Sequence, residues 1–162
     1  MGPKDVMRKS LDMSEFTLKA YLADLTDAEL LLRPIDGMHP IALQLGHLIN
    51  TERYVNELIK PGATPPLPEG FEKAHDIKNA NLDDAGFVSK ETYLELMAAQ
   101  RAVTRELIDA VTEADLDDTR DGKLPTWVPT VGDALALPGL HCLMHYGQFV
   151  AVRRALKKPI AF

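Results

Sequence analysis

The segment His141-Cys-Leu-Met-His145-Tyr-Gly-Gln148-Phe-Val-Ala-Val-Arg-Arg154 predicts one long helix that carries two histidines on its apolar face. An α-helix turns about 100° per residue, so His141 and His145 lie about 40° apart around the axis and one turn (~6 Å) along it. We expect this helix to begin after Thr130, which can form a capping box with Asp133, and to end near Leu156. Apolar residues share the histidine face: Ala134, Leu137, Val152 and Leu156.

Pro138 and Gly139 lie inside this helical segment, three and two residues before His141. A proline removes a backbone donor and its ring contacts the preceding turn. We therefore expect the helix to be kinked or loosened there.

Three further segments have the 3.6-residue period of amphipathic helices. The first runs from about Asp5 to Leu25, the second from about Pro40 to Ile59, and the third from the capping residue Ser89 to about Ala110 or Val111. A short helical turn capped by Thr26-Asp27 follows the first helix, and the proline-rich residues 61–86 form a long connector before the third. With no strand pattern, the sequence predicts an all-α four-helix bundle formed by residues 1–162 as a single domain.

The composition is that of an ordinary globular protein. The chain has 162 residues, 46% of them hydrophobic and 26% charged, and its net charge of −6 disfavours nucleic-acid binding. Basic residues near the C-terminus, including Arg153 and Arg154, are interpreted as the last turn of the fourth helix. The lone Cys142 excludes an intrachain disulfide, and without a membrane span or a secretory signal we expect a cytoplasmic protein.

His47 on the second helix is the natural third ligand for an ion held by His141 and His145. Its helix face also carries Leu43, Thr51, Tyr54 and Leu58, and this half-apolar stripe is expected to point into the bundle. A single core histidine is more often satisfied by a hydrogen bond than by a metal. Three histidines on inward faces favour coordination, so the sequence predicts a divalent-metal site.

The other metal-ligating residue types are left out of this site. His39 precedes Pro40 at a helix start, and His75 lies in the connector beside charged residues, so both are expected to face solvent. Cys142 is a quarter turn from His141 and is interpreted as a buried packing thiol.

Three further residues are considered for roles near the site. Gln148 lies about 20° from His141 around the axis, so it could hold a metal-bound water, orient an imidazole or pair with another helix. Glu52 is about 140° from His47 and is interpreted as a surface carboxylate. Trp127 could line a pocket mouth, but anchoring its loop is the commoner role.

Two segments carry a family likeness: Gly46-His47-Leu48 with Thr51-Glu52-Arg53, and the His-xxx-His-x-Gly-Gln motif at 141–148 with Arg153-Arg154. They resemble the DinB-like (DinB/YfiT) superfamily over essentially the whole chain. The resemblance implies a four-helix bundle, often a homodimer, with a site for nickel, zinc or a similar ion such as iron on His47, His141 and His145. It also implies a relation to enzymes that use low-molecular-weight thiols, such as bacillithiol transferases and mycothiol-dependent isomerases.

Three functions fit these features. In the first, the chain is an enzyme whose three histidines leave a coordination position open for a thiol in a transferase or for water in a hydrolase. In the second, the ion braces a non-catalytic module that binds a small molecule or serves in a stress response. In the third, the histidines only pack. No residue beyond the three ligands is singled out as catalytic.

Overall fold

The computed structural model of the chain describes residues 1–79 and 86–160, in which helices are the only regular elements. Short 3₁₀ turns lie at Ile77–Asn79, Ala114–Asp117 and Arg120–Gly122. The predicted all-α class is therefore confirmed. The six α-helices are α1 (Pro3–Leu22), α2 (Asp27–Leu30), α3 (Ile41–Ile59), α4 (Phe71–Ala74), α5 (Lys90–Ala110) and α6 (Val131–Ala155).

The four long helices pack in the order α1, α6, α3, α5 around the bundle. Leu11 and Val55 lie in one core cluster, and Leu18 and Ile49 lie in the other, so α1 and α3 run in opposite directions. By the same comparison α5 runs with α3, and α6 runs with α1. The chain therefore has an up-down-down-up topology, with the metal-site candidates on the adjacent helices α3 and α6.

The predicted capping residues start the helices. The Thr130 hydroxyl accepts a hydrogen bond from the backbone N–H of Asp133 (3.1 Å), and the Asp133 carboxylate accepts one from the N–H of Thr130 (3.2 Å). Ser89 caps α5 by accepting from the N–H of Thr92. These bonds satisfy backbone donors that have no partner within the helix, which is why α5 and α6 begin where the sequence indicates.

The connector between α3 and α5 is long because those two helices run in the same direction. It must return the chain from one end of the bundle to the other, and on the way Phe71 of α4 packs into the core. Residues 80–85 of this predicted connector lie outside the described part of the chain. Among the described residues, no helix has the length and apolar character needed to cross a membrane.

The helix α6 continues through Pro138 and Gly139 as one α-helix, so the expected loosening does not interrupt it. Gly139 has a packing role instead. A Cβ atom at this position would lie 2.4 Å from the Ser10 hydroxyl oxygen, so only glycine allows α1 to approach α6 this closely. The last turn of α6 contains Arg153 and Arg154, as predicted, and Arg153 forms an ion pair with Asp24 (2.6 Å).

A layer of polar side chains, here called the polar layer, separates the two core clusters. Its centre is an ion pair between Arg101 of α5 and Glu52 of α3 (Nε to Oε1 2.8 Å, Nη2 to Oε2 3.1 Å). Arg101 also donates to the Ser14 hydroxyl of α1 (2.6 Å), and Thr104 donates to Glu52 (2.6 Å). Both members of the ion pair are 2% exposed, so the prediction that Glu52 is a surface carboxylate is wrong. Glu52 is buried because it meets a guanidinium from another helix.

Cys142 of α6 borders the polar layer. Its sulfur lies 3.4 Å from Nη2 of Arg101, and burial raises the pKa of its thiol. The thiol is almost fully enclosed, at 1% exposed, which confirms the prediction of a packing residue.

Candidate metal centre

The structure brings His47, His141 and His145 together. The ring centroids of His141 and His145 are 4.7 Å apart on α6, and the His47 ring on α3 lies 5.1 and 5.3 Å from them. One ligand atom from each residue can be chosen so that all three lie within 4.8 Å of one another. Among residues 1–79 and 86–160 this is the one group of three or more such side chains that could hold a metal ion.

The separation of the ring nitrogens fits a metal site. Nε2 of His145 lies 3.1 Å from Nε2 of His141. Two imidazole nitrogens bound to one tetrahedral zinc ion are about 3.3 Å apart, so this pair is close to coordination geometry. The half-buried His47 ring makes no hydrogen bond to any residue that the structure describes, which leaves both of its nitrogens available.

The three rings are held in the neutral form that binds metals. Burial lowers the pKa of His47 below its ordinary range. Burial, together with the neighbouring histidines, lowers the pKa values of His141 and His145 to about 4. A neutral imidazole keeps one nitrogen lone pair free, so near pH 7 no proton has to be removed before an ion binds.

A glutamine that was not predicted from the sequence contacts the cluster. Gln44 of α3 is fully buried, and its side-chain oxygen lies 3.0 Å from Nδ1 of His145. Gln148 was the candidate for orienting an imidazole, but it is exposed to solvent on α6 and no contact with the cluster is observed. Its position around α6 is close to that of His141, but the bundle does not cover this part of the helix.

A cavity of about 600 Å³ opens beside His47. The α3 residues Asn50, Thr51 and Tyr54 line one wall, and the connector residues Lys73 and Asp76 lie on another. Within the stripe around His47, Thr51 and Tyr54 therefore face this opening, and Tyr54 is 48% exposed, whereas Leu43 is buried at 2% exposed. The prediction that the stripe points into the bundle is wrong for Thr51 and Tyr54, because here α3 buries the neighbouring face that contains Leu48 and Glu52.

Trp127 also lines this cavity and stacks on Tyr54, with ring centroids 6.3 Å apart. Its side chain is 55% exposed, so it lies at the pocket mouth. Of the two roles considered for this residue, the observed position matches the pocket mouth and not the favoured loop anchor.

His75 in the connector is fully buried, which contradicts its predicted exposure. Its Nδ1 lies 2.8 Å from the carbonyl oxygen of Phe71 and therefore donates to it, while its Nε2 accepts from the Tyr93 hydroxyl (2.6 Å). The ring lies against Gly46, where a Cβ atom would be 2.0 Å from His75 Cδ2. The connector is thus fastened to α3 immediately beside His47. The remaining histidine, His39, is half-buried and lies outside the cluster.

Comparisons with known proteins agree with this architecture. A model of the DinB superfamily matches residues 11–149. The crystal structure of a conserved protein from Enterococcus faecalis is similar with a TM-score of 0.71, at 20% sequence identity, over 96% of this chain and 97% of that one. At that identity the likeness shows the fold alone. In a separate comparison, no curated protein matches the sequence. The family match covers most of the chain and agrees with the motifs in the sequence, and we conclude that this protein belongs to the DinB superfamily.

Proposed function

We propose that the chain binds one divalent transition-metal ion through His47, His141 and His145. The observation that supports this proposal is the convergence of three neutral imidazoles, two of them with Nε2 atoms 3.1 Å apart. Imidazole nitrogens suit zinc, nickel and iron, and we propose zinc or nickel as the principal candidates and iron as a further one.

We further propose that the bound ion makes the protein a metal-dependent enzyme for a small substrate. Three protein ligands leave a coordination position open, as in catalytic zinc sites, whereas structural sites usually have four protein ligands. An ion bound there would lower the pKa of water or of a low-molecular-weight thiol, as required for a hydrolase or a thiol transferase. The cavity beside His47 lies in the volume range of small-molecule sites, about 300–1,000 Å³.

The chain's own residues would bind and orient the substrate in this cavity. The stacked Tyr54 and Trp127 rings offer an apolar wall at the mouth. Asn50 of the same cavity lining donates from its side-chain nitrogen to the carbonyl oxygen of Glu72 (3.2 Å), which joins α3 to the connector beside the cavity.

A second candidate is a non-catalytic module in which the ion braces the bundle for small-molecule binding or a stress response. Among the described residues the histidine cluster itself contains no carboxylate, which favours this alternative, although two carboxylates, Glu72 and Asp76, line the adjacent cavity. Glu72 in the adjacent cavity is already paired with Arg53 (2.6 Å). Thiol-dependent turnover separates the two functions, because only the enzyme shows a saturable rate that requires the ion.

The deciding experiment counts metal per chain in protein purified without a histidine tag or chelator. We expect about one ion in the parent and in the control variant His39→Ala, and little in His145→Ala. The loaded protein would then be assayed with thiols and with ester substrates. Absence of metal after incubation with zinc, nickel and ferrous iron would contradict the metal site. Bound metal without turnover would support the bracing module.

We also propose that two copies of this chain associate through α1 and α6. Five large apolar side chains are more than half exposed on these helices: Val6, Met13, Phe16, Leu140 and Met144. Together they offer roughly 400–600 Å² per copy, at least half of the ~800 Å² that one partner buries in a standard interface. Light scattering after size-exclusion chromatography should show a dimer, and Met144→Lys should shift it toward monomer. A monomeric parent at high concentration would contradict this proposal.

A further inference from the structure

Gln44 forms two hydrogen bonds, one with a backbone carbonyl group and one with the ring of His145, and together they determine how His145 can bind an ion. It lies on α3, three residues before His47, and its side chain is fully buried. Its amide nitrogen donates to the carbonyl oxygen of His39 (2.9 Å), and its amide oxygen lies 3.0 Å from Nδ1 of His145. The amide therefore bridges the N-terminal end of α3 and the ligand-bearing helix α6.

The direction of these two hydrogen bonds is fixed by chemistry. The carbonyl oxygen of His39 can only accept, so the NH₂ group of Gln44 must face it. The amide oxygen of Gln44 then faces His145 and can only accept, so Nδ1 of His145 must carry the proton. A neutral imidazole has one N–H and one lone pair, which leaves the lone pair on Nε2. That nitrogen lies 3.1 Å from Nε2 of His141, on the side of the ring that faces the cluster.

We propose that Gln44 is a positioning residue that holds His145 in the Nδ1–H form, so that the lone pair of Nε2 points into the cluster, where it accepts from Nε2–H of His141 in the metal-free chain. This inference rests on the proposed metal-binding function for its consequence, but the tautomer itself is a property of the metal-free chain. Hydrogen bonds from the second ring nitrogen of a ligand histidine fix the ring's tautomer and orientation and raise its basicity. Gln44 therefore orients the His145 ring, which is the role that the sequence suggested for Gln148.

The first experiment determines the tautomer in metal-free protein. Long-range ¹H–¹⁵N spectra distinguish a protonated Nδ1 from a protonated Nε2. We expect His145 to be Nδ1-protonated in the parent and to become a mixture, or to change form, in Gln44→Met, where no acceptor remains. An Nε2-protonated His145 in the parent would overturn the proposal whether or not the protein binds metal.

The second experiment measures metal affinity by competition with a zinc-binding chromophore. Gln44→Met should weaken zinc binding by about 10–100-fold, the usual effect of losing such a partner. Gln44→Glu should stay within a few-fold of the parent, since a protonated carboxyl group can still donate to the His39 carbonyl oxygen and accept from Nδ1–H of His145. The matched control is Gln100→Met, which makes the same substitution at another fully buried glutamine, outside the cluster.

The outcomes separate this inference from the proposed function. An unchanged affinity in Gln44→Met, or an equal loss in Gln100→Met, would overturn the role of Gln44 while leaving the metal site intact. Equal losses in Gln44→Met and Gln44→Glu would also overturn it, because the shape of the amide and not its acceptor would then matter. A parent that binds no zinc, nickel or iron would overturn the metal site, and the spectra would still decide the tautomer.

Discussion

At the scale of single residues, two glycines inside long helices have opposite surroundings. Gly46 lies against the His75 ring, where a Cβ atom would be 2.0 Å from the nearest ring carbon, whereas a Cβ atom at Gly147 would meet nothing within 4 Å. Alanine is intrinsically better than glycine in a helix interior by about 1 kcal/mol. At Gly46 the clash with a buried aromatic ring outweighs this gain.

We therefore expect Gly46→Ala to lower the free energy of unfolding by about 1–3 kcal/mol, as overpacking of a core does. The matched variant Gly147→Ala should raise it by about 0.5–1 kcal/mol. Urea denaturation of both variants checks the prediction. A stabilised Gly46→Ala would mean that the connector moves away from α3 at little energetic cost.

The buried His75 should make stability depend on pH. Burial lowers its pKa below the ordinary value of 6.5, so the unfolded chain binds this proton more readily than the folded one. The contribution of neutral His75 to the free energy of unfolding is complete above about pH 6.5 and is lost as the pH falls toward the pKa of the folded state. The loss amounts to about 1.4 kcal/mol for each unit by which the pKa values of the unfolded and folded states differ. In metal-free protein, the stability difference between the parent and His75→Gln should therefore shrink on acidification. NMR titration of the His75 ring gives an independent check, and a midpoint at or above 6.5 would contradict the prediction.

Residue-level prediction succeeded where the information was local. The spacing of His141 and His145 follows from the geometry of one helix. Placing His47 near them required only that a second helix turn its face toward the pair. Glu52, His75 and Gln44 were misassigned or missed because their partners lie 49, 18 and 101 residues away in the sequence. A polar side chain is buried when such a partner exists, and no local pattern in one sequence reveals it.

At the scale of helices, the polar layer ties α1, α3 and α5 together through Arg101. Removing one partner of a buried ion pair leaves an uncompensated charge and typically costs about 3–5 kcal/mol. We expect that loss of stability in Arg101→Met. The control is Arg105→Met, one turn later on the same helix, where the half-buried guanidinium pairs with Asp12 and Glu15 at the surface. It should cost about 1 kcal/mol or less.

A double-mutant cycle with Glu52→Leu extends this test. Removing both charges should cost less than the sum of the two single substitutions, because neither charge is then left alone in the interior. Additive losses in chemical denaturation would show that Glu52 and Arg101 do not act as a pair.

The boundaries of the helices were largely predictable, because caps such as Thr130 with Asp133 are local. The close packing of Gly139 against Ser10 was not predictable, because it brings together residues of two different helices.

At the scale of the whole molecule, metal binding should stabilise the bundle. The proposed ligands lie on two helices that come together only in the folded chain, so an ion binds the native state in preference to the unfolded one. At a free metal concentration about 100 times Kd, the gain is about 2.7 kcal/mol, which raises Tm by roughly 5–10 °C for a protein of this size.

Differential scanning calorimetry with and without zinc or nickel checks this prediction. His47→Ala should remove most of the shift, because the remaining pair on α6 binds an ion weakly. A shift of the same size in the parent and in His47→Ala would contradict binding at the proposed site.

The all-α class and the helix order followed from periodicity alone. The up-down-down-up arrangement did not, although the length of residues 61–86 is explained by it.

The placement of the three histidines also has a consequence for biosynthesis. Chains emerge from the ribosome N-terminus first, at about 5–20 residues per second, so His47 is available long before α6 has been made. A nascent chain that ends before α6 holds one proposed ligand out of three, and it also lacks the helix against which α1 and α3 pack. Metal loading would therefore be a late step in maturation, after translation has completed the last helix.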